Sequence, residues 1–287
     1  MKLDGRRESS NVEDRRSGAG KAVGMGLGGV AIVALITLLM GGNIGDVLQN
    51  VVQSGGIGMG TESTYEPTAE NEALAKFSSQ ILASTEDVWT KYFAENNLGQ
   101  YRAPKLVLYT GATSSACGTG QAAMGPFYCS ADEKVYLDLS FFSSMKQQLG
   151  ADGDFAYAYV IAHEVGHHVQ HLLGTLDQAH QQMQRMSKTD SNRMSVRLEL
   201  QADFYAGLWA HYESARFGSL EAGDIDEALR CASVIGDDYI QKKSQGYVVE
   251  DSFTHGTAAQ RNRWLKKGMQ TGDIRQGNTF QLSDSQL

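Results

Sequence analysis

The 287-residue sequence predicts a mainly α-helical fold with a small β-sheet, an α+β arrangement, preceded by one transmembrane helix. Three observations lead there. Only 3 Pro against 32 Gly leaves room for long helices punctuated by glycine. Two short segments, KLVLYT from Lys105 and KVYLDLSFF from Lys134, carry the β-branched and aromatic content of strands. A run without charge extends from Ala22 to Gly45.

Taken in chain order, residues 1–21 hold six basic side chains (Lys2, Arg6, Arg7, Arg15, Arg16, Lys21) against four acidic ones (Asp4, Glu8, Glu13, Asp14) and read as a cytoplasmic tail. Residues 22–42 contain GVAIVALITLLM and read as a transmembrane anchor, long enough for a ~30 Å hydrocarbon layer. Basic residues before the run and Asp46 after it place the N-terminus in the cytoplasm and the rest outside. The expectation is a single-pass membrane protein with an extracytoplasmic domain, its helix partnered by the lipid bilayer. A cleaved signal peptide is the other reading, but MGGNIGDV lacks an A-x-A cleavage pattern. Residues 43–68, with SGGIGMG and TESTYEP, read as a flexible linker, and 69–287 as one folded domain.

Within that domain the stretch from Ala69 to Asn97 has helical periodicity, with Leu74, Phe77, Ile81, Val88, Trp89 and Phe93 as core positions. Pro104 precedes the first strand; the second, Val135 to Leu139, runs into a helix capped by Ser140. A helix from Asp152 to Leu173 is stopped by Gly174. Four more are expected at 176–187, 192–215, 224–243 and 257–268.

Net charge is −8 with no basic block, which argues against nucleic acid as a partner. Cys117 and Cys129 bound CGTGQAAMGPFYC, a segment that can close as a disulfide loop worth ~3 kcal/mol. A zinc pair is the other reading, against which the spacing is far wider than that of a metal knuckle. Cys231, in DEALRCASVIG, reads as a buried, inert thiol.

The chemistry concentrates in AYVIAHEVGHHVQHLLG, residues 158–174. His163 and His167, at i and i+4 on a helix, project from one face about 6 Å apart along the axis, and can converge on a single Zn²⁺. Glu164, turned away by about 100°, can reach a water there without ligating the metal and can serve as the general base. Ionisable groups in so apolar a segment would cost several kcal/mol without a task. Gly166 permits close approach of a neighbouring element. His171 lies about 12 Å along the axis from His163, too far to share the ion. The longer HExxHxxGxxH pattern also fails at Gln170 and Leu173. His168 points to another face, and it and His171 read as helix surface or as partners behind the ligands.

The third ligand is expected downstream. In SVRLELQADFYAG, Glu199 and Asp203 share one helix face amid apolar residues. Glu199 can complete a His₂Glu set, with Asp203 accepting the N–H of a ligating histidine; Asp203 as the ligand is the alternative. The strand VYLDL reads as an edge strand beside the cleft, where an extended peptide can pair. His255, in SFTHGTAAQRNRW, stands just before a helix and is either an oxyanion donor or only a helix-start residue. Tyr205 and Tyr247 are further candidate donors.

Together, GRRESSNVEDRR, the GPFYC and VYLDLSFF stretches, HEVGHHVQ, ELQAD and FTHGTAAQR resemble the bacterial neutral zinc metallopeptidase family (YpfJ-like), over nearly the whole chain. ELQADFYAG is also similar to the third-ligand helix of certain zinc membrane proteases, which favours Glu199 over Asp203. The resemblance implies a zincin-like metallopeptidase domain acting on a protein or peptide substrate, and supplies no particular substrate. The resulting expectation is a membrane-anchored zinc endopeptidase, with zinc on His163, His167 and Glu199. Its alternative is a non-catalytic, zinc-stabilised, membrane-tethered scaffold, for which a base at Glu164 has no use. A deformylase-type amide hydrolase would need a cysteine ligand, and no motif ties Cys129 to the metal.

Overall fold

The structure, a computed structural model, describes residues 1–17, 68–122 and 125–287. It is mostly helical with a small sheet. The four-stranded sheet runs β1-β2-β6-β5, from β1 (Val12–Asp14), β2 (Lys105–Tyr109), β6 (Lys134–Asp138) and β5 (Phe127–Cys129). The first three strands are parallel, with Val12 opposite Leu106 and Val107 opposite Tyr136; β5 is antiparallel to β6. Leu106, Leu108, Val135 and Leu137 enter the main core, while Val107, Tyr109 and Tyr136 pack with Cys129 on the opposite face. Burial on both faces explains why β2 and β6 read as nearly continuous apolar runs. A hairpin of β3 (Ala112–Ser115) and β4 (Gly118–Gln121) is stapled to β5 by a Cys117–Cys129 disulfide. Cys231 is buried and free.

Among the described residues the α-helices are α1 (Ala69–Glu95), α2 (Ser140–Ser144), α3 (Asp154–Leu172), α4 (Thr175–Met183), α5 (Lys188–Phe217), α6 (Asp224–Val234), α7 (Asp237–Gln245) and α8 (Ala258–Thr271). Thr68 caps α1 by accepting from the Asn71 amide, and Ser187 caps α5 by accepting from Asp190. Two expectations at helix starts and breaks change. Ser140 is the first residue of α2 and not its cap; its amide donates to Asp138 Oδ1 at 2.9 Å. The single helix expected over 224–243 is two, broken at Ile235–Gly236, where a Cβ on Gly236 would lie 2.4 Å from the Ala258 nitrogen.

Helix α3 sits at the centre, packed against α5, α6 and α1, while α8 lies along α5. Gly166 in α3 meets α5 directly: a Cβ there would stand 2.9 Å from the Ala202 carbonyl oxygen. That contact sets α5, the helix of Glu199, directly against the histidine helix.

The membrane reading is corrected. Among the described residues no helix is long and apolar enough to cross a membrane. The anchor expected over 22–42 and the linker over 43–67 lie outside the described residues. Residues 1–17, expected as a cytoplasmic tail, belong to the domain itself. Strand β1 pairs with β2, Arg6 Nη1 lies 2.7 Å from Glu213 Oε1, and Arg7 reaches Glu86 and Asp87. Arg16, at the end of this segment, lies 3.0 Å from Glu72 in the first turn of α1. Of the basic residues that read as membrane flanks, Lys2, Arg6, Arg7 and Arg16 are ion-paired to acids of the domain. The transmembrane helix, the single-pass extracytoplasmic placement and the bilayer as partner are withdrawn accordingly.

Candidate metal centre

Helix α3 presents His163 and His167 on one face, their ring centroids 4.8 Å apart, and the approach at Gly166 brings Glu199 of α5 opposite them. Glu199 Oε2 lies 3.1 Å from His163 Nε2, and Oε1 lies 3.3 Å from His167 Nε2. One donor atom from each of the three residues lies within 4.8 Å of the others, so the group can hold a metal ion. Asp154, Asp224 and Glu227 form another such group, but the Met1 ammonium is already 2.8 Å from Asp154 Oδ2 and 3.2 Å from Asp224 Oδ1.

The partners behind the rings fix their tautomers. His163 Nδ1 is 2.8 Å from Asp203 Oδ1, a carboxylate that can only accept, so Nδ1 carries the proton and donates. His167 Nδ1 is 2.9 Å from Gln170 Oε1. The Gln170 amide nitrogen donates to the Leu198 carbonyl at 2.7 Å, so its oxygen is the acceptor and His167 Nδ1 is the donor. Both Nε2 atoms are left facing the Glu199 carboxylate, the orientation that metal-ligating histidines adopt.

Asp203 is wholly buried and takes more than one donor. Arg261 Nε donates to Oδ2 at 2.8 Å and Nη2 to Oδ1 at 2.9 Å; the Tyr159 hydroxyl donates to Oδ1 at 2.6 Å. Burial alone would raise the Asp203 pKa, but the Arg261 and His163 charges beside it hold it down at about 2. Burial likewise disfavours ionised Glu199, yet His167 and His255 keep it well below the usual carboxylate range. Glu164, 8% exposed, is pushed upward by burial.

His163, Glu164, His167, Glu199, His255 and Arg261 line a cavity of about 480 Å³. Its walls include Val160, Leu176, Met183, Leu198, Ile235 and Ile240, with Phe127 and Tyr128 of β5 along one rim. The edge strand beside the cavity is thus β5. The VYLDL strand, expected at the edge, is β6 and lies between β2 and β5.

The structure brings His163, Glu164, His167, Glu199 and His255 into this cavity, with Asp203 behind His163. The His255 loop is built by Asp237, whose Oδ2 accepts the amides of Thr254, His255 and Gly256 at 2.7–2.9 Å. His255 Nδ1 lies 2.9 Å from Thr254 Oγ1 and 3.4 Å from Asp237 Oδ1. Burial opposes charge on this ring, but Glu199 and Asp237 raise its pKa above the ordinary histidine value.

Other candidates fall elsewhere. His171 pairs with Asp177 at 3.1 Å and Glu133 at 3.5 Å. His168 is fully buried, bonded to the Arg102 carbonyl and the Tyr128 hydroxyl. Tyr247 is exposed, and Tyr205 lines a different cavity. Sequence reasoning missed Tyr159, Gln170, Asp237 and Arg261. Only Tyr159, one turn before His163, and Gln170, one turn after His167, stood at readable spacings.

A family model described as "Putative neutral zinc metallopeptidase" matches residues 1–280. An uncharacterized Escherichia coli protein, YpfJ, is 49% identical over 289 residues, covering 98% of this chain and 99% of its own. An uncharacterized Mycobacterium tuberculosis protein, Rv2575, is 41% identical over 194 residues, 64% of each chain. No solved structure matches.

Proposed function

The chain belongs to the neutral zinc metallopeptidase family, and on that premise we propose that it is a zinc-dependent endopeptidase with Glu164 as the general base. The observation that carries this reading is the meeting of two oriented imidazoles, one carboxylate and a free acid in a single open cavity. The donor set fits zinc, with two imidazole nitrogens and one carboxylate oxygen, the three-ligand pattern of catalytic sites. Zinc held by His163, His167 and Glu199 would supply Lewis acidity, making water nucleophilic near neutral pH.

The chain's own groups do the rest. An extended peptide laid along the free edge of β5 presents its carbonyl to the cavity. Glu164 takes a proton from the attacking water as its oxygen bonds to the carbonyl carbon. Burial brings that carboxylate nearer to the working pH than an exposed one, which favours its acting as base and then as acid. The same proton passes to the leaving nitrogen as the C–N bond breaks. His255, lining the same cavity as Glu164, donates an N–H to the carbonyl oxygen as charge develops on it.

Replacing Glu164 by Gln keeps the shape and removes the base. The expected outcome is full zinc occupancy with peptide hydrolysis lowered by about 10²–10⁴-fold, measured on denatured casein with and without chelator. Cleavage at the wild-type rate would rule the mechanism out. The reading as a zinc-stabilised scaffold would instead leave wild-type protein without chelator-sensitive cleavage.

A further inference from the structure

Arg261 lies in the wall of the catalytic cavity at 3% exposure. A buried guanidinium is costly unless an acid takes it squarely, and here the acid is Asp203, the carboxylate that His163 leans on. The contact is a fork: Nε to Oδ2 at 2.8 Å and Nη2 to Oδ1 at 2.9 Å. Nη2 is also 3.2 Å from the Tyr159 hydroxyl oxygen, and Nη1 is 3.4 Å from the Ile235 carbonyl at the end of α6. Arg261 on α8 therefore ties together α5, α3 and α6 around one acid.

The fork removes a freedom that matters to the metal. A carboxylate bonded to a single imidazole can turn about its Cβ–Cγ bond and still accept the hydrogen bond. With both oxygens engaged by one rigid guanidinium, Asp203 cannot turn without breaking two charge-assisted bonds. Its Oδ1 is fixed for the His163 Nδ1–H, and the ring's Nε2 is thereby aimed.

We propose that Arg261 is a positioning residue for the metal centre, holding Asp203 so that Asp203 can hold the His163 imidazole. This rests on the zinc reading above. It adds a requirement which ion ligation alone does not impose, namely a two-point cation on a helix 58 residues further along the chain.

The test uses the full chain as wild type, Arg261→Lys and Arg261→Met. Zinc affinity is measured by competition with a chelator, and the cobalt(II)-substituted forms are compared by visible absorption. Wild type should bind one zinc. Arg261→Met should bind at least ~10-fold more weakly with an altered cobalt spectrum. Arg261→Lys restores charge but not the fork and should fall between the two. A purely structural role predicts something else: lower melting temperatures in both variants, with wild-type zinc affinity and cobalt spectrum in the folded protein. That result overturns the proposal. If Arg261→Met does not fold, Arg261→Lys decides, because unchanged affinity there is equally fatal. Failure of wild-type chain to take up zinc would be a different result, bringing down the zinc reading and this inference with it.

Discussion

His163 and His167 are adjacent turns of one helix, yet they lean on chemically different partners, a buried carboxylate and a carboxamide. Another buried histidine of that helix, His168, has another task. Its Nε2–H donates to the Arg102 carbonyl at 2.6 Å and its Nδ1 accepts from the Tyr128 hydroxyl at 2.9 Å, so the ring is neutral and pins β5 to the helix. Burial pushes its pKa down to about 4. The unfolded chain protonates this ring near pH 6.5 while the folded one does not until near pH 4. Its contribution is therefore whole above ~6.5 and falls away as pH drops between the two, by on the order of 3 kcal/mol. His168→Gln should destabilise at pH 8 by about 1–3 kcal/mol and flatten that acid slope in denaturant titrations. An unchanged slope would assign the acid loss to other groups. At this scale the sequence was informative where spacing carries chemistry: i and i+4 on a helix leave little choice about where His163 and His167 point. It was silent on Arg261, because an arginine in an amphipathic helix has no pattern that names a partner 58 residues away.

Between elements, the decisive contact is α3 against α5 at Gly166, flanked on its own helix by the two candidate ligand histidines. A methyl group there would meet the Ala202 carbonyl oxygen at 2.9 Å and its Cα at 3.2 Å, backbone atoms that cannot rotate aside. Gly166→Ala gains about 1 kcal/mol of helix propensity, which overpacking of about 1–3 kcal/mol offsets. The functional cost should exceed the stability cost, since parting the helices moves Glu199 away from both rings. A displacement approaching 1 Å would lower kcat/KM by on the order of 10²-fold while the protein still melts cooperatively. Wild-type kcat/KM in this variant would mean that the helices separate without moving the ligands. Sequence pattern anticipated this approach and most helix positions, because periodicity and glycine stops are local signals. It misassigned the edge strand, since β5 is three residues long and only the pairing of distant strands reveals which of two neighbours is outermost.

For the molecule as a whole, the N-terminal segment changes what the protein is. Sequence statistics saw charges followed by an apolar run and inferred a tail and an anchor; among those charges Lys2, Arg6, Arg7 and Arg16 pair with acids of the domain. Arg6 is the clearest case. Its guanidinium pairs with Glu213, whose side chain is 0% exposed and also accepts from the Ser84 and Ser219 hydroxyls. A buried acid of this kind is tolerable only while its cation is present, so losing the partner costs more than the pair itself contributes. Arg6→Ala should therefore destabilise by about 3–5 kcal/mol in equilibrium denaturation, and an Arg6→Ala, Glu213→Gln double variant should recover part of that loss. Were residues 1–17 held apart from the domain by a bilayer, Arg6→Ala would leave its stability untouched. The measured cost thus tests whether the N-terminal segment is packed on the domain, as its β1–β2 pairing has it. Because α5 carries Glu213 about three turns beyond Asp203 and about four beyond Glu199, the same experiment reports whether the N-terminal segment supports the helix on which the candidate metal centre is built.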